Sequence, residues 1–230
     1  AEVTDRPSDC DERIAKIAAV ERMPRLIGPG ACGGGDMVRV DAVFVADGQR
    51  VAIKPAPYLR CPMAEQFATW VRNDAAPRAA TLGAALKAVD TYDDFECRGR
   101  NRVLGARMSE HGKGNAIDIR GFLLADGRAV NLTDMTVGKE LRNDLRDTAC
   151  ARFSTVLGPG SDGHHEQHIH LDLIERRNGY RICQWDVREP PPPPKPAATV
   201  ASAQPAAEPV PLPLPRPAIA NARARGKRKL

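Results

Sequence analysis

The sequence predicts an α+β domain: a small, largely antiparallel sheet flanked by helices and stapled by disulfides. Three observations lead there. Apolar residues recur with period two in some segments and at helical spacing in others. Six cysteines are dispersed over the first four-fifths of the chain, with no Cys-x-x-Cys pair. Near residue 189 an ordinary apolar composition gives way to proline and alanine.

The elements follow in order. Asp11 to Met23 predicts a short amphipathic helix, with Ile14, Ile17, Ala18 and Val20 toward a core and Pro24 ending it. Gly28-Pro29-Gly30 and Gly33-Gly34-Gly35 predict loop. Met37 to Val45 alternates, with Val38, Val40, Ala42 and Phe44 on one face, and Asp47-Gly48 turns it into a partner strand over Val51 to Ile53. Cys61-Pro62 opens a helix that runs to Val71, because proline suits a first turn. Ala79 to Val89 predicts a second helix. Asn115 to Leu124 predicts a strand, which Asp126-Gly127 turns into Arg128 to Leu132. Val137 to Phe153 predicts a helix, and Gly158-Pro159-Gly160 a loop. His168 to Leu173 predicts a strand of clear period two. Ile169, Leu171 and Leu173 face one way, and His168, His170 and Asp172 the other.

The chain divides into residues 1–188 and 189–230. Twelve of the twenty prolines lie between Pro190 and Pro217, in a stretch too poor in apolar surface to offset the entropy of ordering it. Residues 189–230 are therefore expected to form a disordered, partly polyproline-extended tail. The tail holds seven Lys/Arg against Glu189 and Glu208, which accounts for the whole net charge of +5 and leaves residues 1–188 balanced. Such a tail can adhere to an anionic polymer of the envelope, or can act as a solubilising segment with no specific partner. The balanced domain has no aromatic-plus-basic stripe, so no nucleic-acid partner is expected. No apolar run reaches the ~20 residues of a membrane span. The chain opens on Ala1-Glu2-Val3 rather than Met, as after removal of a signal peptide. Cys10, Cys32, Cys61, Cys97, Cys150 and Cys183 form an even, dispersed set, expected to make three disulfides in a periplasmic or secreted protein. The sequence does not choose among their pairings.

All five histidines fall in two short segments, Ser109 to Asp118 and His164 to Asp172. His111 and Asp118 lie seven residues apart. Gly112 and Gly114 let a loop curl from the first into a strand that carries the second. His170, on the period-two strand, supplies a third donor. Imidazole and carboxylate without thiolate are donors that Zn²⁺ accepts, and a catalytic zinc keeps one of four positions open. His111, Asp118 and His170 are thus the expected ligands of a Zn²⁺ cofactor, whose water would attack an amide. His168 and His165 flank that site as candidate proton carriers, with Glu166 a further base candidate. Asp172 is expected to support a ligand or to lie on the surface. Ser109 reads equally as a cap or as a substrate group, and Glu110 as a solvated residue.

At these residues the chain resembles a known group. His-x6-Asp followed by His-x-His is similar to the zinc signature of D-alanyl-D-alanine carboxypeptidases and dipeptidases, murein endopeptidases and the hedgehog signalling domain. More closely, the chain resembles the extensin-like C-terminal domain family of Gram-negative bacteria. The matching pieces are Leu59-Arg60-Cys61-Pro62-Met63-Ala64, Ser109-Glu110-His111, Gly114-Asn115-Ala116-Ile117-Asp118, Thr155 to Asp162, and His168-Ile169-His170-Leu171-Asp172-Leu173. The resemblance covers about residues 8–185 and implies an exported, zinc-dependent peptidoglycan hydrolase acting on peptide cross-links or stem peptides. It implies the same three zinc ligands and places His168 first in His-x-His. Arg98 falls where the carboxypeptidase branch holds a substrate carboxylate, for which a planar guanidinium is suited. Gln167 stands where that branch has a glutamate base, so the chain follows the endopeptidase branch. The alternative implication is a non-catalytic, zinc-containing module that binds wall peptides or a partner.

Overall fold

In the computed structural model, which describes residues 8–46, 48–103 and 105–190, the first element is a six-residue helix, α1 (Asp9–Ile14). The Asp11 N–H donates to Ser8 Oγ and the Ser8 N–H to the Asp11 carboxylate, a reciprocal cap. The helix expected over 11–23 stops here. Ala18–Arg22 forms strand β1 instead, and the apolar residues divide between the two elements: Ile14 closes the helix, while Ala18 and Val20 belong to the strand. A short ladder, β2 (Leu26–Ile27) with β3 (Gly33–Gly34), closes the glycine-rich loop.

Strand β4 (Met37–Phe44) pairs with β1, with Ala19 opposite Ala42 but Val20 opposite Val40. Asp41 is thus an extra residue, a bulge that shifts the alternation by one. Val38, Val40 and Ala42 are buried as expected, but beyond the bulge Val43 is buried and Phe44 only half-buried. The expected hairpin forms between β4 and β5 (Arg50–Lys54), with Gly48 at φ +78° in its turn and Asp47 outside the described residues.

After β6 (Tyr58–Arg60), helix α2 (Cys61–Trp70) starts with Pro62 in its first turn, as expected. A π-turn over Val71–Ala75 carries it into α3 (Ala76–Ala80). Pro77 lacks an N–H and its ring would strike the carbonyl four residues back; the widened turn before it accommodates both. The helix expected over 79–89 does not form. The chain turns at Gly83, φ +88°, and Leu86–Asp93 becomes strand β7. Its buried Leu86 and Ala88 flank an exposed Lys87, the alternation of a strand.

The expected strands β8 (Ala116–Leu124) and β9 (Ala129–Asn131) and helix α4 (Lys139–Arg152) follow. Then come β10 (Thr155–Leu157), β11 (Ile169–Asp172) and β12 (Ile182–Gln184). Ten strands form one sheet in the order β1-β4-β5-β7-β8-β11-β10-β12, with β6 beside β4 and β9 beside β8. Pairing is antiparallel except for β5 with β7 and β10 with β12. The parallel pair β5–β7 needs a long crossover, and α2 and α3 lie in it.

The buried core joins Phe67 and Trp70 of α2, Phe153, Ile117 and Ile119 of β8, and Ile169 and Leu171 of β11. Trp70 and Phe153 meet edge to face, ring centroids 6.3 Å apart. Side chains alternate along a strand, so Asp118, His170 and Asp172 must leave the opposite face of the sheet. The cysteines pair as Cys10–Cys61, Cys32–Cys97 and Cys150–Cys183. Three disulfides fit an oxidising compartment. No helix among the described residues is long and apolar enough to cross a membrane. The expected tail, from residue 191 onward, lies outside the described residues.

Candidate metal centre

Strand register assembles the site. β11 runs antiparallel to β8 with His170 directly opposite Asp118. His111 arrives from a single 3-10 turn, His111–Lys113, which Gly114 ends at φ +64°, a left-handed position that suits glycine. The turn ends at Gly114, and the chain enters β8 at Ala116, two residues before Asp118.

Three donor atoms converge. His111 Nε2 lies 3.1 Å from His170 Nδ1 and 3.3 Å from Asp118 Oδ1, and His170 Nδ1 lies 2.8 Å from the same oxygen. All three residues are buried. The expected ligands thus come together, and these atoms could hold a metal ion. A tetrahedral ion with bonds of about 2.0–2.2 Å would separate its ligands by about 3.3–3.6 Å, near the two longer edges of this triangle.

The neighbours of each ring argue for a cation. His111 Nδ1–H donates to the Asp94 carbonyl at 2.7 Å, which leaves the lone pair on Nε2. His170 Nε2–H donates to Asp172 Oδ2 at 3.1 Å, which leaves the lone pair on Nδ1. Two lone pairs then face each other at 3.1 Å, beside a carboxylate. Only a positive charge between them, a proton or a metal ion, makes that arrangement favourable.

Asp118 is an ionised acceptor. Burial pushes its pKa up, but the imidazoles of His111, His168 and His170 packed around it outweigh this and hold it well below the usual carboxylate range. His168 Nε2 lies 3.2 Å from Asp118 Oδ2, so His168 stands against the oxygen that the other two histidines do not meet. The Tyr92 ring stacks on His168 at 4.7 Å. His165 lies beside both, its ring 5.1 Å from His168 and 5.4 Å from His170. Its Nδ1 bonds Asp162 Oδ1 at 2.6 Å. Burial lowers the His165 pKa more than Asp162 raises it, so the ring is neutral at pH 7 with Nε2 free to accept a proton.

These groups line a cleft of about 670 Å³. Arg98 reaches it, but Asp93 at 2.7 Å and Glu96 at 2.9 Å occupy its guanidinium. Buried Ser109 accepts from the His111 backbone N–H at 3.3 Å, a local cap on the turn, and also lines the cleft. Glu110 is not solvated as expected. It is buried, and Lys113 and Asn115 each donate to it at 2.7 Å, because the turn folds both back over it. Glu166 accepts from the Gly160 N–H at 2.9 Å and does not line the cleft.

Sequence reasoning missed Tyr92, Asp94, Thr155, Asp162 and Arg176. Tyr92 and Asp94 were hidden by reading 79–89 as a helix, which concealed strand β7 and the turn after it. Asp162 follows Gly158-Pro159-Gly160-Ser161, and loop composition carries no periodicity to aim a side chain. The Thr155 to Asp162 motif held a signal, but only the register of β10 against β11, Thr155 opposite Asp172, puts it at the site.

No match to this chain was found among curated proteins or among solved structures. One family model, described as extensin-like protein C-terminus, matches residues 8–184, which span every strand, helix and site residue named above. The chain therefore belongs to the extensin-like protein C-terminus family.

Proposed function

We propose that this protein is a periplasmic, zinc-dependent hydrolase that cleaves peptide bonds in the cross-links or stem peptides of peptidoglycan. One observation carries the reading: three neutral-or-anionic donor atoms of His111, Asp118 and His170 meet at a cleft that also holds a neutral, carboxylate-backed His165. Two imidazoles and a carboxylate are donors that zinc accepts, as iron(II) and other first-row ions do, and the sequence likeness is what selects zinc among them. The likeness of His-x6-Asp and His-x-His to zinc peptidases that act on the bacterial wall supports the substrate class, and the disulfides support the compartment.

Held by these three residues, zinc supplies Lewis acidity, which lowers the pKa of water to about 7 and polarises a carbonyl. The chain does the rest. His165 takes a proton at Nε2 and returns it to the leaving amine, while Asp162 fixes the ring through Nδ1. His168 stands against Asp118 Oδ2, so Oδ1 would be the oxygen left to hold the ion. Arg98 shapes the cleft wall with Asp93 and Glu96 rather than offering a free cation.

The test is metal analysis combined with mass spectrometry of digested muropeptides. The purified protein is expected to carry one zinc and to release new peptide products. Chelation or His170→Ala is expected to abolish both. Zinc bound at one equivalent with muropeptide binding but no product would favour a wall-peptide binding module. Full activity of the chelated protein would sink the metal reading.

A further inference from the structure

Arg176 carries a cation into the cleft with no carboxylate partner among the described residues. Its Nη1 donates to the Ser154 carbonyl at 2.9 Å and its Nη2 to Thr155 Oγ1 at 2.7 Å. Thr155 is 3 % exposed and sits directly opposite Asp172 in the β10–β11 ladder, so its hydroxyl leaves the same face of the sheet as the Asp172 carboxylate and helps to hold that carboxyl below its usual range. Asp172 Oδ1 accepts from the Ile174 N–H at 3.0 Å, and Oδ2 from His170 Nε2–H at 3.1 Å.

Donor counting fixes every proton in this chain. Guanidinium has no acceptor, so Thr155 Oγ1 must accept from Arg176. Its one hydrogen is then free to point at Asp172. An ionised Asp172 accepts only, so His170 must donate through Nε2, which leaves Nδ1 as the nitrogen a metal ion can take once it displaces the proton there. The polarity runs one way, from Arg176 through Thr155 to Asp172, and it meets the His170 proton there. If Thr155 turned its hydrogen elsewhere, Asp172 would lose a donor and hold His170 less firmly.

We propose that Arg176 and Thr155 are positioning residues that act through Asp172 to hold His170 in the one tautomer able to ligate a metal through Nδ1. The inference rests on the metal reading of the site and deepens it: the strength of metal binding is set by an arginine that touches neither metal nor ligand. A charged donor at the far end strengthens each hydrogen bond along the line.

The test measures zinc affinity of the full chain by competition with a chromophoric chelator, alongside the thermal midpoint of each metal-free variant. Thr155→Val keeps shape and removes the hydroxyl. It is expected to weaken zinc binding about tenfold or more, the usual cost of losing an outer partner of a metal-binding histidine. Thr155→Ser is expected to restore most of that affinity, and Arg176→Gln to weaken binding in the same direction with a small change in midpoint. On zinc-loaded protein, ¹⁵N shifts of the His170 ring are expected to report Nε2–H in the wild type and a shifted, weaker hydrogen bond in Thr155→Val. Zinc affinity and ring shifts unchanged in both Thr155→Val and Arg176→Gln would overturn the proposal while leaving the metal site standing. A wild-type protein that takes up no zinc would overturn the metal reading itself, and this proposal with it.

Discussion

His170 sits between two carboxylates, and that placement makes a pH prediction at the scale of one residue. Burial pushes its imidazolium down, but the hydrogen bonds and charges of Asp118 and Asp172 outweigh this, and in the metal-free protein its pKa is pushed up to about 10. A folded pKa raised above the unfolded value of about 6.5 contributes stability that is complete below pH 6.5 and is lost as pH climbs toward 10. Urea denaturation of metal-free protein is expected to show that decline. Zinc must displace the proton, so loading at pH 8 is expected to release protons, measurable by calorimetry in buffers of different ionisation enthalpy. Zinc uptake at pH 8 with no proton released would contradict the assignment. His165 has the opposite sign: its lowered pKa removes stability as pH falls below about 6.5. His165→Gln is expected to cut muropeptide hydrolysis by about 10²- to 10⁴-fold while zinc affinity stays near wild type, because the ring moves a proton and holds no ion. Loss of zinc in this variant would instead make His165 a ligand. The three donors were legible in sequence because all five histidines fall in two short segments, one a glycine-bearing turn that leads to Asp118 and the other a strand of clear period two. Of the partners around them, Asp172 was legible from its place on the same strand face, whereas a threonine, an arginine and a backbone carbonyl look ordinary anywhere.

Among the elements, β11 was legible residue by residue. Ile169 and Leu171 entered the core and His170 and Asp172 left it, as period two requires. Elements without a decisive period were misread. Residues 15–23 and 81–89 carry apolar spacings compatible with both helix and strand, and what decided them was a vacant sheet edge on β4 and a slot between β5 and β8. Local propensity is worth tenths of a kcal/mol per residue, whereas a full ladder and a buried face outweigh it. Helix α4 was legible, but its anchor was not. Arg142 is 2 % exposed and donates to the carbonyls of Val137 at 2.9 Å, Met135 at 3.3 Å and Arg188 at 2.6 Å. It ties the start of α4 to the last described segment. Arg142→Met keeps volume but strips three carbonyls of a charged donor. It is expected to cost about 3 kcal/mol in chemical denaturation, with early proteolysis near residue 188. A loss below about 0.5 kcal/mol would show that water replaces the guanidinium there.

For the molecule as a whole, three covalent links bracket the sheet. Cys10–Cys61 ties α1 to the start of α2, Cys150–Cys183 ties the end of α4 to β12, and Cys32–Cys97 holds the segment next to Arg98. The loops they close span 51, 33 and 65 residues. Each such link contributes about 2–4 kcal/mol, chiefly by restricting the unfolded chain. Reduction under native conditions is therefore expected to lower the thermal midpoint by well over 10 °C, read by circular dichroism with and without reductant. An unchanged midpoint would mean that the core alone sustains the fold.

By itself the sequence determined the mixed class, the hairpin, the long helix α4, the strands that carry Asp118 and His170, the oxidised state of the cysteines, and the residues that meet as donors. Each rests on a local pattern, a period, a turn dipeptide or a composition, which is readable without knowing what lies across the sheet. Tertiary structure alone decided which cysteines pair, which ambiguous segments became β1 and β7, and which way every ring proton points. Those outcomes depend on neighbours tens of residues away in the chain, where hydrogen-bond geometry and strand register, rather than residue type, select among options of nearly equal local energy.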